Sequence, residues 1–325
     1  MTDRAILREL PRLRALVVGD ICLDRWCTYD PSLSEPSAET SIPRIAVVRT
    51  ETTPGAGGTI ASNMASLGVG RVSVLGVLGD DGAGFELRKA LARRGVRDHL
   101  LVECSGRQTF TYTKLLNQQT GVEDLPRVDY LPANPVPVNA QRVLLDRLLS
   151  AVDEHDITLI ADQAETDVGG TVTQAVRALL GELAAAYPDK VFLADSRRRA
   201  HLFSGVSLKP NKREAEAASL EAFGDPVFSK LRETTRAPVL FVTAGPQGAL
   251  VFDERGESVV PTQAVANPID VCGAGDSFAA GAAATLFLTG SAVRAAQFGN
   301  LVASITIRKR GTGTASPEEI LAANS

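Results

Sequence analysis

Residues Ala15-Leu-Val-Val-Gly19 form an unbroken apolar run that stops at Asp20. A short continuous run of this kind reads as a buried parallel strand whose carboxyl end is the aspartate. The next such run is Arg71-Val-Ser-Val-Leu-Gly76, and residues 57–67 between them show helical spacing behind a glycine-rich start. A second helix is expected over 85–94, stopped by Gly95. This β–α–β order predicts an α/β fold, a sheet with crossover helices.

Further along the chain the rhythm resumes. Ile157-Thr-Leu-Ile-Ala161 ends at Asp162, and Val191-Phe-Leu-Ala194 ends at Asp195, with a helix expected over 172–186 between them. Val206-Ser-Leu-Lys209 is a short strand leading through Pro210-Asn211 into a helix from Lys212. Strands at 239–243 and 249–252 flank a glycine-rich turn, and helices are expected over 274–288 and 294–308. Two segments, about 25–50 and 105–130, break the pattern. Within them Thr40–Arg49 and Gln108–Leu116 alternate and are rich in β-formers, which predicts a small antiparallel sheet inserted into the α/β body. Residues 126–138 are proline-rich and read as a connector. Ligands of open α/β sheets bind at the carboxyl ends of strands, so the strand-end residues Asp20, Asp162, Asp195 and Asn211 point to one polar cleft.

Composition narrows the class. The 325 residues carry a net charge of −4, 44% apolar and 22% charged residues. That balance suits a soluble globular chain, expected to fold as one domain over 1–325, with no global attraction to nucleic acid or anionic membrane. A local basic cluster, Arg197-Arg198-Arg199, is either a solvated loop or a phosphate contact. Four cysteines without a CxxC pair argue against a zinc site or a redox dithiol. The amino end has no apolar signal region, and the apolar stretch 278–288 is too short to span a bilayer, so a cytoplasmic location is expected.

The chemistry is concentrated in Asp270-Val-Cys-Gly-Ala-Gly-Asp-Ser-Phe278, which opens an alanine-rich helix. Small residues let a backbone approach a ligand closely. The N–H groups of Gly273, Ala274 and Gly275 are expected to point out of the helix amino end. The dipole there favours an anion such as a phosphoryl group gaining charge. Asp276 lies in the first turn, where a carboxylate can take a proton from an attacking hydroxyl. The bland alternative is a capping aspartate at an ordinary loop–helix junction.

Three other segments are weaker. In Pro54-Gly-Ala-Gly-Gly-Thr-Ile-Ala-Ser-Asn63, Ile60 stands where the dinucleotide fingerprint needs its last glycine, which argues against an NAD-type oxidoreductase. No Gly-Lys dipeptide, HExxH or GxSxG occurs, so Walker A, zinc-protease and serine-hydrolase readings fall away. In Lys209-Pro-Asn-Lys-Arg-Glu-Ala-Glu216, Asn211 and Glu214 lie three apart. They read either as a helix cap with its capping box, or as a site where Glu214 holds the waters of a Mg2+ ion. Thr243-Ala-Gly-Pro-Gln-Gly248 is either a plain turn or a nucleotide contact.

Taken together, these segments resemble the ribokinase-like, or PfkB, carbohydrate kinases. The Gly55–Gly68 stretch resembles the first family signature and Ala266–Ala280 the second, and the likeness runs from about Ala15 to Ser316. The resemblance implies a three-layer α/β/α body with a central, mostly parallel sheet and a small β-sheet lid. It also implies ATP-dependent phosphoryl transfer to a sugar or sugar-phosphate hydroxyl. By it, Asp276 is the base, Gly273, Ala274 and Gly275 form the anion hole, and Glu214 serves Mg2+. Asn211, Thr243, Gly245 and Gly248 hold the nucleotide, while Asp20, Asp24, Gly57, Gly58 and Asn63 hold the sugar. Arg107, Lys114 and Arg197 are candidates for a substrate phosphate. A monovalent cation near Asp270 and a homodimer joined through the lid are further expectations. Within the family, Gly19–Arg25, Lys114 with Gln118-Gln119, and Lys309–Glu318 resemble the heptose 7-phosphate kinase branch. Residues 163–167, Gln-Ala-Glu-Thr-Asp, differ from that branch's Tyr and Lys-Gly pair. Ribose, fructose phosphate and nucleosides remain alternative acceptors, and a non-catalytic sugar or nucleotide sensor is the alternative to an enzyme.

Overall fold

The computed structural model describes residues 1–166 and 168–323, so Asp167 of the 163–167 segment lies outside the described residues. In chain order the strands are β1 (Arg14–Gly19), β2 (Ile21–Tyr29), β3 (Val47–Ala56), β4 (Arg71–Leu75), β5 (Val77–Gly79), β6 (Val102–Cys104), β7 (Thr111–Asn117), β8 (Val128–Tyr130), β9 (Ile157–Asp162), β10 (Val191–Ser196), β11 (Ser207–Leu208), β12 (Leu240–Thr243), β13 (Ala249–Asp253) and β14 (Gly256–Val260). The helices are α1 (Asp3–Glu9), α2 (Gly57–Ser66), α3 (Gly82–Arg93), α4 (Val138–Asp153), α5 (Gln174–Ala186), α6 (Lys212–Phe223), α7 (Phe228–Thr235), α8 (Ala274–Thr289), α9 (Ala292–Thr306) and α10 (Pro317–Ala322).

The continuous apolar runs become the inner strands of an eight-stranded sheet, ordered β14-β13-β12-β11-β10-β9-β1-β4. Every pair from β4 to β12 is parallel, and only β13 and β14 run antiparallel at one edge. Strands buried on both faces need apolar side chains on both, which explains why β1 and β9 carry no alternation. One face packs against α1, α2, α3, α8 and α9, and the other against α4, α5, α6 and α7. Three layers result. Among the described residues, no helix is long and apolar enough to cross a membrane.

The lid is a separate four-stranded sheet, β3-β2-β7-β8. It differs from the sequence expectation in three ways. β2 and β7 pair in parallel, from Leu23 opposite Thr111 to Tyr29 opposite Asn117, so the sheet is mixed. The strand expected at 40–49 starts only at Val47, because Pro43 lacks the N–H a ladder needs and joins only an isolated bridge with Pro36. The connector at 126–138 contains β8, which hydrogen-bonds to β7. Helix α4 was not anticipated, although Ala140, Leu144, Leu148 and Ala151 give it an apolar stripe at helical spacing.

Candidate active site

The site is set by where α8 begins. Nine consecutive residues of this helix, Ser277 to Thr285, are buried between the sheet and a second helix; eight of them are small, and Phe278 packs against Phe241. A Cβ on Gly281 would lie 2.8 Å from Val302 Cγ2, and one on Gly299 would lie 2.9 Å from Phe278 O. The close α8–α9 crossing therefore needs both glycines, and it fixes the helix start. The N-cap is Gly273, at φ 78, and no side chain caps the helix. The amino end is thus left for a ligand to complete. One of the expected donors is used internally: the Ala274 N–H donates to Val271 O at 3.2 Å.

Two cavities border this turn. The one under the lid measures about 170 Å³ and is bordered by Asp24, Trp26, Lys114, Arg197, Gly273 and Asp276. The other measures about 200 Å³ and is bordered by Thr243, Gly245, Gly248, Val265, Ala274 and Gly275. Asp276 faces the lid cavity, where burial pushes its carboxyl up to about 8; Asp195 and Asp24 add to the rise, and Lys209 and Arg197 oppose it. Asp24, on β2, is pushed up to about 6 by burial, with Lys114 and Arg127 pulling it down. Gly55 makes room for it, since a Cβ there would sit 2.3 Å from Asp24 Oδ1. The neighbouring Ala56 is held at φ 49, ψ −120, a strained conformation at the cavity wall.

Four cations border the same small space: Arg25, Lys114, Arg127 and Arg197. Each is steadied by an acid. Arg25 pairs with Glu86 at 2.9 Å, Lys114 with Glu123 at 3.7 Å, Arg127 with Asp129 at 2.6 Å, and Arg197 with Glu165. Lys114 also lies 4.6 Å from the centroid of the Trp26 ring, and Arg127 lies 4.6 Å from that of Tyr112. Sequence reasoning missed Arg127, Trp26 and Tyr112, whose lid strands place them over the cleft without any local motif.

Several expected ligand residues turn out to hold the walls. Both Asp20 oxygens accept backbone N–H groups, from Gln163 at 2.9 Å, Ala164 at 2.8 Å and Thr171 at 2.7 Å. Asp20 thus fixes the loop after β9 and does not border the cavity. Gly57 and Gly58 are buried in α2, where a Cβ would meet Ile21 Cδ1 at 2.7 Å or Pro54 Cβ at 2.6 Å. Asn63 is fully buried; its Nδ2 donates to Thr59 O at 3.0 Å, and its Oδ1 has no partner among the described residues. The guanidinium of Arg107 donates to Asn134 O at 3.1 Å and to Gly169 O, which ties down a turn instead of facing the cavity. Of the arginine cluster, Arg199 is bonded to the buried Asp162, and only Arg197 borders the lid cavity.

Asn211 and Glu214 form a complete capping box: the Glu214 N–H donates to Asn211 Oδ1 at 2.9 Å, and the Asn211 N–H to Glu214 Oε2 at 2.8 Å. Glu214 keeps a second carboxylate oxygen. Burial, with Asp195 nearby, raises its carboxyl above the usual range. Among the described residues, no three His, Cys, Asp or Glu side chains are grouped to hold a metal. The donor set fits Mg2+ all the same, because that ion is commonly held by one or two carboxylates, water and substrate phosphates. Asp270 accepts from Cys272 N at 2.9 Å and Gly311 N at 3.1 Å, so it ties the turn before α8 to the loop that carries Thr312.

Comparison with known proteins agrees with this architecture. The bifunctional protein HldE of Trichlorobacter lovleyi is 29% identical over 334 residues, covering 99% of this chain and 65% of that protein. Its counterpart in Caulobacter sp. is 32% identical, covering 97% and 64%. The chain therefore spans about two-thirds of the length of these relatives, a little under that share. Among solved structures, ribokinase from Thermotoga maritima matches with a TM-score of 0.69 and 20% identity, covering 95% of this chain and 98% of that one. Arabidopsis thaliana ribokinase complexed with ribose and ATP gives 0.70 and 17%, with 95% and 98% covered. The profile of pfkB family carbohydrate kinases matches residues 14–319, nearly the whole chain, and the protein belongs to that family of phosphotransferases with an alcohol group as acceptor.

Proposed function

We propose that this protein transfers the γ-phosphoryl group of ATP to a hydroxyl of a sugar phosphate, with Asp276 as the general base. The carrying observation is that one turn, 271–278, walls off two cavities, with Asp276 facing one and Ala274 and Gly275 facing the other. A nucleotide in the 243–248 cavity sends its phosphates toward the amino end of α8. A sugar under the lid sets its hydroxyl against Asp276. The hydroxyl oxygen then attacks in line, and its proton passes to the Asp276 carboxylate. Mg2+, when bound, neutralises charge on the phosphates, and Glu214 is the residue that holds it. Asp270 already bonds two backbone N–H groups, and no step of this reading runs through a monovalent cation.

Four basic side chains border the cavity under the lid, and although each has an acidic partner, their remaining donors favour an acceptor that already carries phosphate. The sequence resemblance makes heptose 7-phosphate the first acceptor to try. The test is a phosphoryl-transfer screen with ATP and Mg2+ over pentoses, hexoses, hexose phosphates, heptose phosphates and nucleosides. We expect turnover on a sugar phosphate and a fall in kcat of about a thousandfold in Asp276→Asn, in line with loss of a general base. Near-normal turnover in that variant removes Asp276 from the role, and silence on every acceptor favours a binding protein.

A further inference from the structure

At the other end of the sheet, a cavity of about 420 Å³ opens beside the edge strand β4. Arg71 begins β4 and His155 precedes β9, so this cavity lies at the amino ends of these strands. The lid cavity lies at the carboxyl ends, where Gln163 follows β9. The two share no residue. Its volume falls in the range of about 300–1,000 Å³ usual for small-molecule sites. Three arginines and two of the chain's three histidines border it: Arg71, Arg97, Arg147, His99 and His155. A neighbouring cavity of about 640 Å³ shares His99, Val143 and Arg147 and continues along α4.

The donors here are held but not used up. Arg147 Nη1 donates to Leu100 O at 3.0 Å and to Leu101 O at 2.7 Å, which fixes the guanidinium and leaves its Nε and Nη2 without partners among the described residues. Arg71 Nη2 donates to Glu154 O at 2.7 Å and lies 3.5 Å from Glu154 Oε2, while its Nε is shielded from solvent with no acceptor. A shielded N–H without a partner carries the cost of its lost hydration, and turning the guanidinium onto an anion relieves it. The side chains of Arg97 and His99 make no hydrogen bond or ion pair among the described residues. The acids that border the cavity, Asp146 and Glu154, are exposed, and they set two carboxylates against three guanidiniums. Buried His155 adds no negative charge. Its Nδ1–H donates to Ala151 O at 2.7 Å and its Nε2 accepts from the Ser73 hydroxyl at 3.2 Å. Burial lowers its pKa, and the charges of Arg71 and Arg14 lower it further, against the pull of Ala151 O and Glu154. Stability does not account for the gathering, because like charges repel and an exposed pair such as Arg71–Glu154 contributes little.

We propose that this cavity is a second anion site, apart from the catalytic cleft, which takes a phosphoryl dianion, free or borne by a small metabolite, between Arg71, Arg97 and Arg147. Arg147 offers the fixed fork of donors that matches two phosphate oxygens. Arg97 and His99 close on the anion from the 97–100 stretch, and the neighbouring cavity along α4 receives the rest of a metabolite. No bond is made or broken here: the site binds a phosphorylated molecule without turning it over. It stands independently of the kinase reading.

The histidines supply the readout. None of the three borders the lid cavity or the 243–248 cavity, and His201 lies outside this one as well. The full chain, labelled with 13C and 15N at histidine, is titrated at fixed pH and ionic strength with inorganic phosphate and, separately, with glucose 6-phosphate, and the ring signals are followed by NMR. His99→Gln assigns the His99 signal. We expect the His99 and His155 signals to move and saturate, with half-saturation below about 1 mM, while His201 stays in place. Arg97→Gln, which removes a side chain that holds nothing in the fold, should weaken binding about tenfold. Arg147→Gln should do the same if it folds, and Lys114→Gln under the lid should leave the His99 response unchanged. Tighter binding of glucose 6-phosphate than of phosphate identifies a metabolite as the source of the phosphoryl group, and binding of phosphate alone identifies the free anion. Shifts that never saturate, that chloride reproduces, or that keep their affinity in folded Arg97→Gln overturn the site. That failure leaves the kinase reading intact, and a protein silent in the phosphoryl-transfer screen can still show this site.

Discussion

At the residue scale, the environment of Asp276 makes a quantitative demand on pH. Its carboxyl is pushed up to about 8, and a base must be ionised to accept a proton. In the substrate-free protein, kcat/KM should therefore rise about tenfold per pH unit up to roughly pH 8 and level off above it. Folding carries the opposite sign. Between the ordinary carboxylate range and about 8, the folded chain keeps a proton that the unfolded chain has released. This group's contribution to stability thus falls as pH rises through that window and is flat above it. Asp276→Asn should remove that part of the pH dependence from thermal unfolding. A kcat/KM profile already flat at pH 6 counts against the buried-base description. The carboxylate itself was legible in the sequence, because small residues flank it at a helix start. Its electrostatic setting was not, because Asp24, Asp195 with Arg197, and Lys209 come from three other places in the chain.

Elements carry the next level of the argument. β2 and β3 form a ladder that crosses from the lid into the body, with Cys22 opposite Gly55 and Asp24 opposite Thr53. Gly55 leaves room for the Asp24 carboxylate, so Gly55→Ala pushes that carboxylate away from its position over the cavity. We expect KM for the acceptor to rise about tenfold, with kcat and ATP affinity changed little and stability lowered by about 1 kcal/mol. An unchanged KM in a folded Gly55→Ala protein would take Asp24 out of acceptor binding. The glycine-rich run at 54–63 was visible as a motif, but its work differs from the expectation. Gly57, Gly58 and Asn63 build the buried start of α2, while Gly55 and Ala56 shape the cavity. Spacing alone does not tell a glycine that admits a ligand from one that admits a neighbouring strand. The capping box at Asn211 and Glu214 teaches a similar lesson, since one Glu can cap a helix with one oxygen and offer the other to a cation.

For the whole molecule, the alternation of strand and helix was enough to anticipate the layered body, because continuous apolar runs have few other places to go. The lid was harder to read. Pro36 and Pro43 lie in the irregular segment that joins β2 to β3, and the parallel β2–β7 pairing joins residues nearly ninety positions apart. Its apolar residues Ile42, Ile45, Val47 and Val48 are each at least 45% exposed. Apolar side chains exposed close together usually meet a partner. Two lids paired in a homodimer are the arrangement we expect, and sedimentation equilibrium at several protein concentrations checks it. A monomer at every concentration, or an unchanged mass in a Val47→Lys, Val48→Lys double variant, rules the lid out as the joint.

Trp26 is the only tryptophan in the chain, and its indole borders the cavity under the lid between Lys114 and Gly311. A molecule that fills this space must disturb the water and the charge around a single fluorophore. The protein thus carries its own optical indicator of occupancy, and candidate acceptors can be ranked by emission before any turnover is sought.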